Sequence, residues 1–235
     1  MGSVIRKEKR YINQIPAIVW GESSKDAYVY IHGKMSCKEK AEEFAKIAER
    51  KGYQTISFDL PEHGERSGQN EPCDIWTGKK DLLEIDEYAS SRWQRLSIYA
   101  CSIGAHFALH SYPEKEFQKC LFQSPILSMD YLIDQIFQWY HLSKEDLREK
   151  KTIETPIHKL TWDYYVYVKE HPIMEWKIPT CILYAKRDPL QSQNCMEEFA
   201  RQFHCGLRVE ENCEHGFANG NEVEIEKQWL EDQIK

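Results

Sequence analysis

Leu96-Ser97-Ile98-Tyr99-Ala100-Cys101-Ser102-Ile103-Gly104-Ala105 is the stretch on which the reading of this chain turns. An apolar strand over 95–100 runs directly into a helical pattern over 101–111. At the junction stands Ser102, with a small residue two places to either side, Ala100 and Gly104. A sharp strand-to-helix turn needs small residues there, because longer side chains at the two flanking positions would collide. Such a turn strains the serine backbone, lifts its hydroxyl above the sheet and aims the first N–H groups of the helix at an oxygen bound beside it. The plain alternative is a serine that merely caps a core helix.

Outward from that junction the chain alternates strands with helices. Residues 10–19 alternate polar and apolar, as in an antiparallel edge hairpin, and 27–31 form a short buried strand ended by His32-Gly33. Ala41, Phe44, Ala45, Ile47 and Ala48 recur at helical spacing within 38–51, and Gly52 follows as the stop. A strand at 54–58, a helix at 74–91, strands at 119–123 and 180–185, a helix at 192–204, a strand at 207–210 and a helix at 222–234 complete the series. Strands separated by helices of this length require right-handed crossovers. The expected class is therefore α/β, a mostly parallel twisted sheet of about seven to eight strands with helices on both faces.

One stretch breaks the rhythm. Some fifty residues rich in aromatics, Trp139, Tyr140, Trp162 and Tyr164 among them, separate the strands at 119–123 and 180–185. We expect one domain over 1–235 carrying a helical, aromatic cap insertion at about 126–178, since inserts of this length in α/β sheets are commonly functional. A packed helical elaboration that touches no ligand is the alternative.

Composition bounds the function. The 235 residues are 41% hydrophobic and carry 31 basic against 38 acidic side chains, a net charge of −7 with no dense basic block. Nucleic acid is thus not an expected partner. A mean hydropathy of −0.66 and the lack of a long apolar run argue against membrane insertion. Residues 1–10 are polar, without the apolar core of a signal peptide, so a cytoplasmic location is expected. The eight cysteines form no CxxC pair and are read as reduced thiols. Cys205, Cys213 and His215 fit no zinc spacing, and no metal is expected.

With Ser102 on such a turn, and with Asp188 and His215 each following a later strand, the sequence resembles the α/β-hydrolase superfamily from about residue 27 to its C-terminus. The superfamily keeps its nucleophile, acid and histidine in that chain order. The resemblance implies Ser102 as nucleophile, His215 as base and Asp188 as the acid that orients the imidazole. It implies the main-chain N–H groups of Lys34 and Ile103 as the oxyanion hole. Ala100 departs from the usual glycine by one methyl group. Asp59-Leu-Pro-Glu-His-Gly-Glu-Arg66 is similar to the superfamily's D-x-P-G-H-G-x-S loop, with Glu62 in place of glycine and Arg66 in place of serine. Asp59 and His63 are therefore read as shaping a loop. Cys101, one place before the turn, should point into the fold, and His204 belongs to a helix end. Met35, Trp139, Tyr140, Trp162 and Phe217 are the candidate substrate-binding residues.

The activity implied is a serine hydrolase that cleaves a small-molecule carboxylic ester through an acyl-enzyme, without a cofactor. Thioesters or small amides would use the same groups, as would acyl transfer to an acceptor other than water. The alternative of another class is a hydrolase-like module that binds a ligand without turnover. The serine at the turn argues against the haloalkane dehalogenase branch, which uses an aspartate there.

Overall fold

The computed structural model describes residues 4–235; the first three residues of the polar opening segment lie outside the described residues. Strands β1 (Lys7–Ile12) and β2 (Ile15–Trp20) pair antiparallel with Ile12 opposite Ile15 across Asn13-Gln14. Asn13 takes a φ of 51°, the left-handed backbone that two-residue hairpins require and asparagine tolerates. Then follow β3 (Asp26–Ile31), α1 (Glu42–Arg50), β4 (Gln54–Phe58), α2 (Ile75–Ser90), β5 (Arg95–Cys101), α3 (Ile103–Ser111) and β6 (Cys120–Gln123). The insert holds α4 (Met129–Trp139), α5 (Lys144–Lys150), the short β7 (Thr152–Ile153) and β8 (Leu160–Thr161), and α6 (Trp162–Glu170). The chain closes with β9 (Thr180–Ala185), α7 (Gln193–Gln202), β10 (Gly206–Glu210) and α8 (Gly220–Gln233).

Eight strands form one sheet in the order β1-β2-β4-β3-β5-β6-β9-β10. β1 and β2 are antiparallel to their neighbours, and the remaining pairings are parallel. Side chains alternate between the two faces along every central strand, because the strand period is two. Ala27, Val29 and Ile31 face one core with Ile98, Phe122 and Ile182, and with α2 and α3 over them. Tyr28, Tyr30, Tyr99, Leu121 and Leu183 face the other, beneath Phe44 of α1 and Trp229 of α8. Both outer strands carry charge: Lys7, Glu8 and Lys9 are exposed on β1, and Arg208 pairs with Glu210 on β10 at 2.6 Å.

Local chemistry sets the helix starts. Asp74, Ser128, Ser143, Thr161 and Ser192 each accept a hydrogen bond from the first turn that follows, satisfying a donor that has no intrahelical partner. The helix expected from residue 101 begins two residues later. Cys101 still pairs with Gln123 in the sheet, and Ser102 is the turn itself. Among the described residues no helix is long and apolar enough to cross a membrane. All eight cysteines are unpaired.

Candidate active site

Every group of interest sits at the C-terminal end of a parallel strand, where the crossover loops of an open α/β sheet converge. Ser102, between β5 and α3, has a φ of 53° and a ψ of −121°, a conformation that L-residues rarely adopt. Its surroundings impose it. Ser102 N donates to Gln123 O at 3.1 Å on β6, and Ser102 O accepts from Ile126 N at 3.1 Å and from Ala105 N at 3.1 Å. Gly104 lets α3 begin against the end of β3, since a methyl group there would lie 2.6 Å from His32 O and 2.8 Å from Ile31 O. Ala100 is fully buried with no such clash to avoid, so alanine is accommodated there.

His215 lies in the loop between β10 and α8, and its Nε2 is 2.9 Å from Ser102 Oγ. Its Nδ1 is 2.6 Å from Asp188 Oδ2, in the turn after β9. An ionised carboxylate only accepts, so Nδ1 carries the proton and Nε2 is left to accept from the serine hydroxyl. The Asp188 side chain is wholly buried, and its second oxygen accepts from Leu190 N at 2.8 Å. Gln123 donates from Nε2 to His215 O at 2.9 Å, and the Tyr99 hydroxyl beside it donates its one proton to Glu226 at 2.7 Å. Glu222 of α8 accepts from Glu214 N at 3.0 Å, the residue just before the histidine. Neither Gln123 nor Glu222 was singled out from the sequence.

Ile103 N–H is the first of α3 and has no intrahelical acceptor. Among the described residues, Lys34 N–H also donates to no protein acceptor. The loop that carries Lys34 is braced by two histidines. His32 donates from Nδ1 to Gly33 O at 2.7 Å and accepts at Nε2 from Leu60 N at 3.0 Å. His63 donates from Nδ1 to Pro61 O at 2.7 Å and accepts at Nε2 from Met35 N at 3.0 Å. Burial depresses the His32 pKa to about 4, consistent with a neutral ring in this role. The Lys34 ammonium group donates to Ile157 O at 2.6 Å, tying this loop to the insert.

Asp59 accepts from Lys38 N, Lys38 Nζ and Glu65 N, and it fixes the 59–66 loop from within. Lys38 is buried, which opposes its charge, yet the hydrogen bonds it donates to Asp59, Glu65 and Glu39 hold its pKa above the ordinary value. Cys101 packs against the core, and burial followed by the nearby Glu226 and Asp188 carboxylates pushes its thiol pKa well up. It therefore offers no thiolate. His204 ends α7, with a φ of 54°, and is not among the groups hydrogen-bonded around Ser102.

A cavity of about 270 Å³ adjoins Ile103, with Lys34, Cys73, His158 and Tyr164 among its walls. None of the five residues expected to bind substrate lines it. Met35 is 92% exposed, and Trp139 and Tyr140 lie at the exposed end of α4. Trp162 stacks on Tyr165 beside Arg148 and Lys151, while Phe217, at a φ of 46°, turns its ring into the core under α8. Among the described residues no group of three or more His, Cys, Asp and Glu side chains is placed to hold a metal ion.

No family model matches the sequence, and no curated protein matches it either. Solved structures do. Alpha/beta hydrolase domain-containing protein 10 from mouse superposes with a TM-score of 0.75 at 15% identity, over 99% of this chain and 98% of that one. The chain has the α/β-hydrolase fold. Two further solved structures superpose on most of the chain. Est1E from Butyrivibrio proteoclasticus with ferulic acid bound gives a TM-score of 0.78 at 14% identity, over 96% of both chains. The Pyrococcus furiosus esterase Pf2001 gives 0.67 at 15% identity, over 97% of this chain and 90% of that one.

Proposed function

We propose that this α/β-hydrolase-fold chain is a serine hydrolase that cleaves a small-molecule carboxylic ester through an acyl-enzyme. The observation that carries the reading is the unbroken line of hydrogen bonds from Ser102 Oγ through His215 to buried Asp188, with the serine held in a strained turn. A serine hydroxyl is a weak nucleophile at neutral pH and needs a base in contact with its proton. Ser102 Oγ attacks the carbonyl carbon while His215 Nε2 takes the hydroxyl proton, and Asp188 holds the resulting imidazolium by its Nδ1–H. The carbonyl oxygen, now negative, accepts from Lys34 N–H and Ile103 N–H. Collapse breaks the ester C–O bond, and the alcohol leaves with the proton from His215. Water then attacks the acyl group by the same route and frees Ser102. The insertion at about 126–178 acts as a cap, since His158 and Tyr164 on it wall the cavity beside Ile103. The esterase name borne by the Pf2001 neighbour supports an ester in preference to other acyl compounds.

The test is hydrolysis of p-nitrophenyl acyl esters of increasing chain length, with Ser102→Ala as control and fluorophosphonate labelling alongside. Turnover by the native chain, with a loss of about 10³-fold or more in the variant, is the expected result. Absence of both turnover and labelling at Ser102 would sink the reading in favour of a ligand-binding module.

A further inference from the structure

One polar side chain in the cavity beside Ile103 has no part in the reaction above. His158 lies in the loop between β7 and β8, and its main chain is fixed by Thr155, whose hydroxyl donates to His158 O at 2.7 Å and accepts from His158 N at 3.0 Å. The residue is only 8% exposed, and it lines the cavity with Tyr164, its ring 5.9 Å from the tyrosine ring. Among the described residues neither ring nitrogen has a protein hydrogen-bond partner; both hydrogen bonds of His158 belong to its main chain. Neither nitrogen is sealed off from the cavity, so each is open to bond a ligand atom that enters it.

The other polar groups around it are committed or solvated. The Tyr164 hydroxyl meets His106 Nε2 at 3.2 Å, and Lys34, an exposed residue, donates from Nζ to Ile157 O. Glu62 and Lys159 are exposed at the mouth, and Asp74 caps α2 through Thr77 N. Burial, with the Lys34 charge in addition, lowers the His158 pKa to about 4. At neutral pH the ring is uncharged and presents one N–H donor and one bare nitrogen acceptor.

We propose that His158 is the specificity-determining residue of an acyl pocket, hydrogen-bonding a hydroxyl group carried by the acyl chain of the substrate. This rests on the hydrolase reading above. A hydroxyl both donates and accepts, so it satisfies the imidazole in either tautomer. An alkyl chain leaves the ring unpaired. A carboxylate has no proton to offer the bare nitrogen. At about 30 Å³ per water-sized group, a cavity of about 270 Å³ holds an acyl group of about nine non-hydrogen atoms.

The experiment compares isosteric pairs in which one hydroxyl replaces one methyl: p-nitrophenyl ω-hydroxyhexanoate against heptanoate, and para-hydroxyphenylacetate against para-methylphenylacetate. The native chain should favour the hydroxylated member of at least one pair by about tenfold to a hundredfold in kcat/KM. In His158→Phe that ratio falls towards one, through the hydroxylated ester, while His158→Gln, which keeps a donor and an acceptor, restores part of it. A residue that only held the loop in place would lower both members of a pair together. Native preference for the methyl esters, or a ratio unchanged in His158→Phe, overturns the proposal. Fluorophosphonate labelling separates the two readings. Labelling at Ser102 without turnover of either pair overturns the acyl pocket and leaves the hydrolase, whereas no labelling and no turnover overturns both.

Discussion

Ser102 keeps an unfavourable backbone only because its neighbours leave it no other. The tight approach of Gly104 to the carbonyl oxygens of Ile31 and His32 fixes where α3 starts, and with it the direction of the Ile103 N–H. Gly104→Ala forces a methyl group into that contact. We expect a loss of about 1–3 kcal/mol in stability by urea denaturation, together with weakened fluorophosphonate labelling at Ser102 as the turn shifts. Ser102, Asp188 and His215 were legible in the sequence because each occupies a fixed place relative to a strand end. His158 and Gln123 were not. Their positions acquire meaning only when β7 and β8 fold the insert over Ile103, or when β6 comes to lie beneath the histidine loop, and no local pattern announces either event.

At the scale of elements, the 59–66 loop differs at two positions from the superfamily pattern it resembles. Glu62, where that pattern has glycine, adopts a φ of 65°, a left-handed backbone taken without the residue that favours it. Arg66, in place of serine, reaches from this loop to the buried Asp81 of α2, donates to Asp59 O at 3.1 Å and meets Glu71 at 2.6 Å. Burial raises the Asp81 pKa while the guanidinium opposes that rise. Removing one partner of such a pair strands the other charge. Arg66→Met should therefore cost about 3–5 kcal/mol by denaturant melts, and adding Asp81→Leu should recover much of it. A double variant as unstable as the single one would show that the pair contributes little and that Asp59 and Glu71 matter more. The strand and helix sequence of the fold was legible almost throughout, because alternation along the central strands and helical spacing between them are local properties. The packing of the insert was not, since its aromatic side chains satisfy several arrangements equally. Trp162 covers α5 and Phe217 fills the core, where the sequence had suggested a binding surface.

For the whole molecule, titration is set by histidines kept neutral. Burial lowers the pKa of His32, His110 and His158 to about 4 each and that of His106 well below the ordinary value. Their folded values lie below the unfolded value of about 6.5. The stability they contribute is thus fully present above about pH 6.5 and is lost as pH falls towards 4, because the unfolded chain binds the extra protons. Burial raises Glu226 and Asp81, which act in the opposite sense, favouring the folded chain as pH falls through their folded values. Urea midpoints measured from pH 7.5 down to 4.5 should decline in the lower part of this range, with roughly three to four protons taken up by the histidines on unfolding near pH 5, less those that Glu226 and Asp81 give up. His110→Phe should remove about one of them. A midpoint indifferent to pH in this window would contradict the burial of these rings.

The two outer strands carry a last consequence. Each presents unpaired main-chain groups along one side, an open template for a strand from another copy. Lys7, Glu8 and Lys9 on β1, and Arg208 with Glu210 on β10, line those templates with charge that an added strand would have to bury or crowd. The sheet can end where it does without recruiting a neighbour, and growth of the molecule into fibres by edge addition is opposed at both rims.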